Sequence, residues 1–122
     1  MKRDVNLFIQ DISDNINNIE SFSKNLNKEK FESNKLRQNA IIRCLEIIGE
    51  AAKNIPDSFR EKYPDMPWRE VAGFRDVLSH AYFGVSIERV WNIIELDLPN
   101  IKKEIEKIIK DNNSKFQTNQ NH

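Results

Sequence analysis

The chain has 122 residues, with 19 Lys and Arg against 19 Asp and Glu. That length suits one domain with a real core, and the balanced charge excludes a global basic field as a marker of nucleic-acid binding. The lone cysteine, Cys44, excludes disulfides and cysteine-based zinc sites.

Val5, Phe8, Ile12, Ile16, Ile19 and Leu26 recur mostly at steps of three and four, which predicts a long first amphipathic helix. The polar run from Asn25 to Lys28 ends it, and Asn27 is placed to cap the next helix. The second helix is expected from about Glu29 to Asn54, with Ala40, Ile41, Cys44, Leu45, Ile48, Ala51 and Ile55 on its apolar side. Pro56 stops it. A short helix over Asp57–Tyr63 follows, and then a break whose two prolines, Pro64 and Pro67, suit turns and a first helical turn.

Pro67 to Phe83 reads as the third main helix, carrying Trp68, Val71, Ala72, Phe74, Leu78 and Tyr82. Gly84 is a natural terminator, and Ser86 caps the last helix with Glu88 in its first turn. That helix buries Ile87, Val90, Trp91, Ile94, Leu98, Ile101, Ile105 and Ile108. Pro99 in its middle predicts a kink. The polar, non-periodic residues 111–122 read as a disordered tail after a domain over residues 1–110. With no strand-like alternation and no glycine-rich phosphate loop, the expected fold is an all-α, antiparallel four- to five-helix bundle. No stretch approaches about 18 apolar residues and Met1 to Asn6 lack a signal-like apolar run, so no membrane contact and a cytoplasmic setting are expected.

The chemistry concentrates in Arg75-Asp76-Val77-Leu78-Ser79-His80-Ala81-Tyr82. His80 is the only histidine other than the final residue, His122, and is the first candidate for proton transfer near neutral pH. Gly84 as a cap would put His80 in the last turn of its helix, where unpaired carbonyls favour the imidazolium. Arg75 offers a permanently charged planar fork matched to a phosphate. Asp76 lies one turn before His80 and is placed to orient it, or else is a plain surface carboxylate.

Arg75 and His80 are five residues apart, roughly 140° around an ideal helix, so they do not share a face. A joint site needs a distorted helix end or a second copy of the chain, and a two-fold homodimer would bring two Arg75 forks and two His80 rings to one cleft. Tyr82 shares a face with Arg75 and, by pattern alone, packs with its hydroxyl at the surface. Glu46 and Glu50, one turn apart, lack a third metal ligand; one of them is expected to pair with Arg43 or Arg75. Gly49 is expected to allow close helix approach there. Trp68 and Trp91 read as core or interface anchors.

The spacing Arg75-x4-His80-x-Tyr82, with Asp76 after the arginine, resembles the signature of HEPN-domain proteins of the HepT-like toxin family. The resemblance extends, in order and spacing, to RCLEIIGEAAK (Arg43–Lys53), MPWR (Met66–Arg69), GFRDVLSHAYF (Gly73–Phe83), Val90-Trp91 and Asp97-Leu98-Pro99. It covers roughly residues 1–110. It implies a metal-independent endoribonuclease toxin without a cofactor, dimeric, with Arg75 and His80 catalytic. It also implies an RNA substrate and silencing by a minimal nucleotidyltransferase antitoxin of the MntA type, which transfers AMP to Tyr82. Two alternatives compete: a non-catalytic helical subunit that docks a nucleotidyltransferase, and a dimeric helical scaffold in which the motif is structural.

Overall fold

The computed structural model describes residues 3–79 and 87–120, and the side chains of residues 3–76 and 87–113. The expected ends at Phe83, Gly84 and Ser86 lie outside these residues. Every described element is helical: α1 (Val5–Phe22), α2 (Lys28–Glu32), α3 (Lys35–Lys53), α4 (Asp57–Arg60), α5 (Trp68–Ser79), α6 (Ile87–Asn92), a π-helical turn (Ile93–Asp97) and α7 (Leu98–Gln120). The chain is an all-α bundle.

The helix starts follow local chemistry. The side chains of Asp4, Asn27 and Asn34 each accept a hydrogen bond from a backbone N–H in the first turn of α1, α2 and α3, at 2.8, 2.8 and 3.1 Å. These bonds satisfy donors that have no partner within the helix. After α1 the chain reverses through Asn25, whose φ of 64° is left-handed, a conformation that asparagine tolerates better than most residues.

The single helix expected over Glu29–Asn54 is two helices, α2 and α3, broken at Ser33–Asn34. The break is held by Gln38, whose buried side-chain amide donates to the carbonyls of Phe31 (2.8 Å) and Glu32 (3.0 Å). Both carbonyls lie at the end of α2, and that of Phe31 also accepts from the Asn34 backbone N–H at 3.2 Å. At the other end of α3, the Arg60 guanidinium caps the carbonyls of Ala52 and Ile55 and stacks over Trp68.

α3 lies against α1 on one side and α5 on the other, while α1 also contacts α7 and α2 contacts α6. Arg37 at the start of α3 donates to the carbonyl of Lys24 just past the end of α1, so α1 and α3 run antiparallel. Glu20 pairs with Lys102 and Asn6 with Asn112, so α1 and α7 are antiparallel as well. Between them, Ile12, Ile16, Ile19, Ile41, Leu45, Ile48, Val71, Ile101 and Ile105 are almost wholly removed from water. At about 25 cal/mol per Å² of apolar area, burial of this kind is what drives the helices together. Trp91 stacks on Phe31 at 5.3 Å between ring centroids, and Trp68 donates from its indole nitrogen to the Tyr63 carbonyl at 3.0 Å. Both tryptophans are core anchors.

The expected kink at Pro99 takes a specific form. Immediately before it the chain widens into the π-helical turn Ile93–Asp97, where the Leu98 N–H bonds back to the Ile93 carbonyl, and Pro99 follows as the second residue of α7. The wider turn also alters the buried stripe: Ile93 is buried while Ile94 is only half-buried. The last helix does not stop at Lys110. α7 continues to Gln120, through residues expected to be a disordered tail. No glycine or proline interrupts it beyond Pro99. Its later part is also held from outside: the Tyr63 hydroxyl donates to the Asp111 carboxylate at 2.6 Å, and Asn112 donates to Asn6 at 3.2 Å. Desolvation, then the hydrogen bond to Asp111 and its negative charge, push the Tyr63 hydroxyl up to about 12. No helix among the described residues is long and apolar enough to cross a membrane.

Candidate functional site

Arg75 lies on α5, whose Trp68, Val71 and Phe74 face the core. Its neighbour Asp76 is exposed on the same helix. His80 and Tyr82 lie outside the described residues, so of the four residues singled out in the motif the structure places Arg75 and Asp76.

The Arg75 backbone sits directly against α3. A β-carbon built on Gly49 would lie 2.5 Å from the Arg75 nitrogen, 3.0 Å from its Cβ and 3.1 Å from its Cα. Only a residue without a side chain allows the two helices to approach this closely. The guanidinium then reaches the next residue of α3: Nη1 of Arg75 is 3.1 Å from Oε2 of Glu50, with 45 % of the arginine side chain still exposed.

This contact forms one wall of a cleft of about 240 Å³ between α1, α3 and α5. Its polar lining includes Arg3, Asp11, Arg43, Glu46, Glu50 and Arg75. These six residues form three ion pairs: Arg3–Asp11 at 2.6 Å, Arg43–Glu46 at 2.8 Å and Arg75–Glu50 at 3.1 Å. Each arginine in the cleft is accompanied by a carboxylate, so the lining is locally neutral. The expectations that one of Glu46 and Glu50 pairs with Arg43 or Arg75, and that Gly49 allows a close approach, both hold. Arg3 and Asp11 were not singled out in the sequence. They reach the cleft because antiparallel packing brings the start of α1 beside the end of α3, and no local pattern announces that.

Other reactive groups lie apart from this cleft or are held inert. Cys44 is buried, and desolvation raises its thiol against the smaller opposing pull of Arg43, so it stays protonated. Glu70 is raised by desolvation and by the Asp97 carboxylate, a link between α5 and the π-helical turn. No group of three His, Cys, Asp or Glu side chains among the described residues could hold a metal ion.

An exposed arginine fork, anchored at its backbone and open on its outer side, can receive a phosphate. The family model described as "Ribonuclease HepT-like" matches residues 12–108. This chain belongs to the HepT-like ribonuclease family. A Methanocaldococcus jannaschii protein named "Putative RNase MJ1216" is 51 % identical over 110 residues, covering 90 % of this chain and 91 % of that protein. A Thermococcus cleftensis protein named "Probable ribonuclease HepT" is 46 % identical over 110 residues, covering 90 % of this chain and all of that protein. A third relative, from Caldanaerobacter subterraneus, is 42 % identical over 87 residues. No solved structure matches the chain significantly. The family match spans α3, α5 and the whole Arg75–Tyr82 segment.

Proposed function

We propose that this HepT-like chain is an endoribonuclease that cleaves RNA without a metal, by attack of the ribose 2′-OH on the adjacent phosphorus. Arg75 stabilises the charge that develops on the phosphoryl oxygens, and His80 moves the proton. One histidine is poorly suited to act as base and acid in the same step. A two-fold dimer supplies a second ring from the partner copy, and the roughly 140° between Arg75 and His80 on an ideal helix favours the same arrangement. Asp76, one turn before His80, orients the imidazole. The observation that carries this reading is the position of Arg75: within the family's matched region, exposed at the mouth of a cleft, with its backbone pinned by Gly49.

The same reading makes the protein the toxin of a two-component system in the cytoplasm, held silent by a minimal nucleotidyltransferase antitoxin. AMP transferred to Tyr82 would place bulk and negative charge two residues from His80, obstructing RNA and neutralising Arg75. The neutral lining of the cleft favours one alternative, a non-catalytic subunit that docks the nucleotidyltransferase, because RNA enzymes usually show basic surface.

The deciding experiment incubates the unmodified protein with tRNA and mRNA in excess EDTA, beside His80→Ala, and identifies the product ends. The ribonuclease reading expects cleavage by the wild type, 2′,3′-cyclic phosphate ends, and loss of cleavage in the variant. Intact RNA with wild-type protein whose Tyr82 is shown by mass to be unmodified would transfer the case to the docking subunit.

A further inference from the structure

Two consecutive residues of α3 hold two different parts of one residue of α5. Gly49 meets the backbone of Arg75, and Glu50 meets its guanidinium. The first contact fixes where the helix carries the arginine. The second fixes where the end of a long side chain with several rotatable bonds points. We infer that Gly49-Glu50 is a positioning clamp for Arg75, with Glu50 a positioning residue for the ribonuclease reaction and not a competitor of RNA. This rests on the proposed role of Arg75.

Glu50 differs from the other two carboxylates of the cleft in what it reaches. Asp11 pairs with Arg3 on α1's own side, and Glu46 pairs with Arg43 one turn away on the same helix. Glu50 alone among the three pairs reaches across to α5, immediately after the glycine that lets α5 come close. The closest approach is a single Nη1–Oε2 contact, and the arginine side chain remains 45 % exposed. The fork therefore keeps donor surface facing solvent while one prong is held. A guanidinium restrained in this way does not have to be ordered when the phosphate arrives, which is the kind of preorganisation that matters most as charge develops.

A clamp and a purely structural ion pair differ in observable ways. An exposed pair contributes little to stability, so Glu50→Ala should leave the thermal midpoint unchanged. The clamp predicts that Glu50→Ala lowers kcat by about 10-fold while KM changes less than about 2-fold, since Arg75 keeps its charge but loses its aim. Glu50→Gln, which retains an oxygen at the same reach, should recover part of the loss. In an Arg75→Ala background, Glu50→Ala should have no further effect.

A readout independent of turnover is the NMR signal of the Arg75 Nε–Hε group, expected to shift and sharpen towards free arginine in Glu50→Ala. Unchanged or raised kcat in Glu50→Ala, or an unmoved Nε–Hε signal, overturns the clamp. If Arg75→Ala cleaves like wild type, the role of Arg75 itself fails and the clamp falls with it. Loss in Arg75→Ala beside an unaffected Glu50→Ala removes the clamp alone.

Discussion

At Gly49 an added β-carbon would meet the Arg75 backbone at 2.5 Å, whereas at Gly73, two residues before Arg75, it would meet none of the described residues within 4 Å. The two glycines therefore mark the two sides of α5. The inner side is a fitted contact in which backbone presses on backbone and Phe74 is buried nearby in sequence. On the other side, no described atom lies within 4 Å of a β-carbon added at Gly73. Glycine weakens a helix interior at either place, but of the two only Gly49 gains a close contact among the described residues in return. The difference shows where α5 is committed to close packing against α3. Arg75 stands at the boundary, with a buried backbone anchor and an exposed charge.

That contrast can be broken from the inside first. Phe74→Ala should destabilise the protein by about 3–5 kcal/mol in denaturant unfolding, because it empties a buried site beneath α5. Gly49→Ala should cost about 1–3 kcal/mol, since the clash is with backbone that cannot rotate away, and should also reduce RNA cleavage by displacing Arg75. On the other side the sign reverses. Gly73→Ala should stabilise the protein by about 0.5–1 kcal/mol, read as a higher urea midpoint at unchanged slope. A destabilised Gly73→Ala variant would mean that this side of α5 is packed after all.

The smallest effect lies outside the cleft, at the Tyr63–Asp111 hydrogen bond that ties α7 to the bundle. The folded hydroxyl titrates at about 12, above the ordinary 10 of an unfolded tyrosine. The unfolded chain therefore loses its proton first, so this stabilisation is complete below pH 10 and is lost as pH rises from 10 towards 12. Tyr63→Phe should lower stability modestly near neutral pH, where the bond to Asp111 is intact in the wild type, and flatten the alkaline decline, measured by urea unfolding across the same range.

What could be read from the sequence divides along physical lines. Local rules are legible: Asn27 caps α2 as its side chain predicts, Pro56 ends the α3 segment, and the isoleucine stripes of α1 and α7 are the core. The Glu46–Arg43 pair follows from charge spacing along one helix, whereas Glu50–Arg75 joins α3 to α5 and depends on their packing. Tertiary causes are not legible in the same way. Gln38 splits α2 from α3 by reaching back to carbonyls six and seven residues earlier, which no propensity records. Pro99 announced a disturbance, but its absorption by a π-helical turn depends on how Ile93 and Leu98 pack. The extension of α7 beyond Lys110 is held in part by Tyr63 and Asn6, both distant in sequence. In the cleft, Arg75 was legible as a charged residue of the motif, whereas the Arg3–Asp11 pair came only with the packing of α1 on α3.

The most direct test of the role given to Arg75 is single-turnover cleavage of saturating RNA by wild type and Arg75→Ala, with folding monitored by circular dichroism. Arg75 as the charge that meets the developing phosphoryl oxygens predicts a rate at least about 100-fold lower in the variant at unchanged helicity. Equal rates in two equally folded proteins would contradict it.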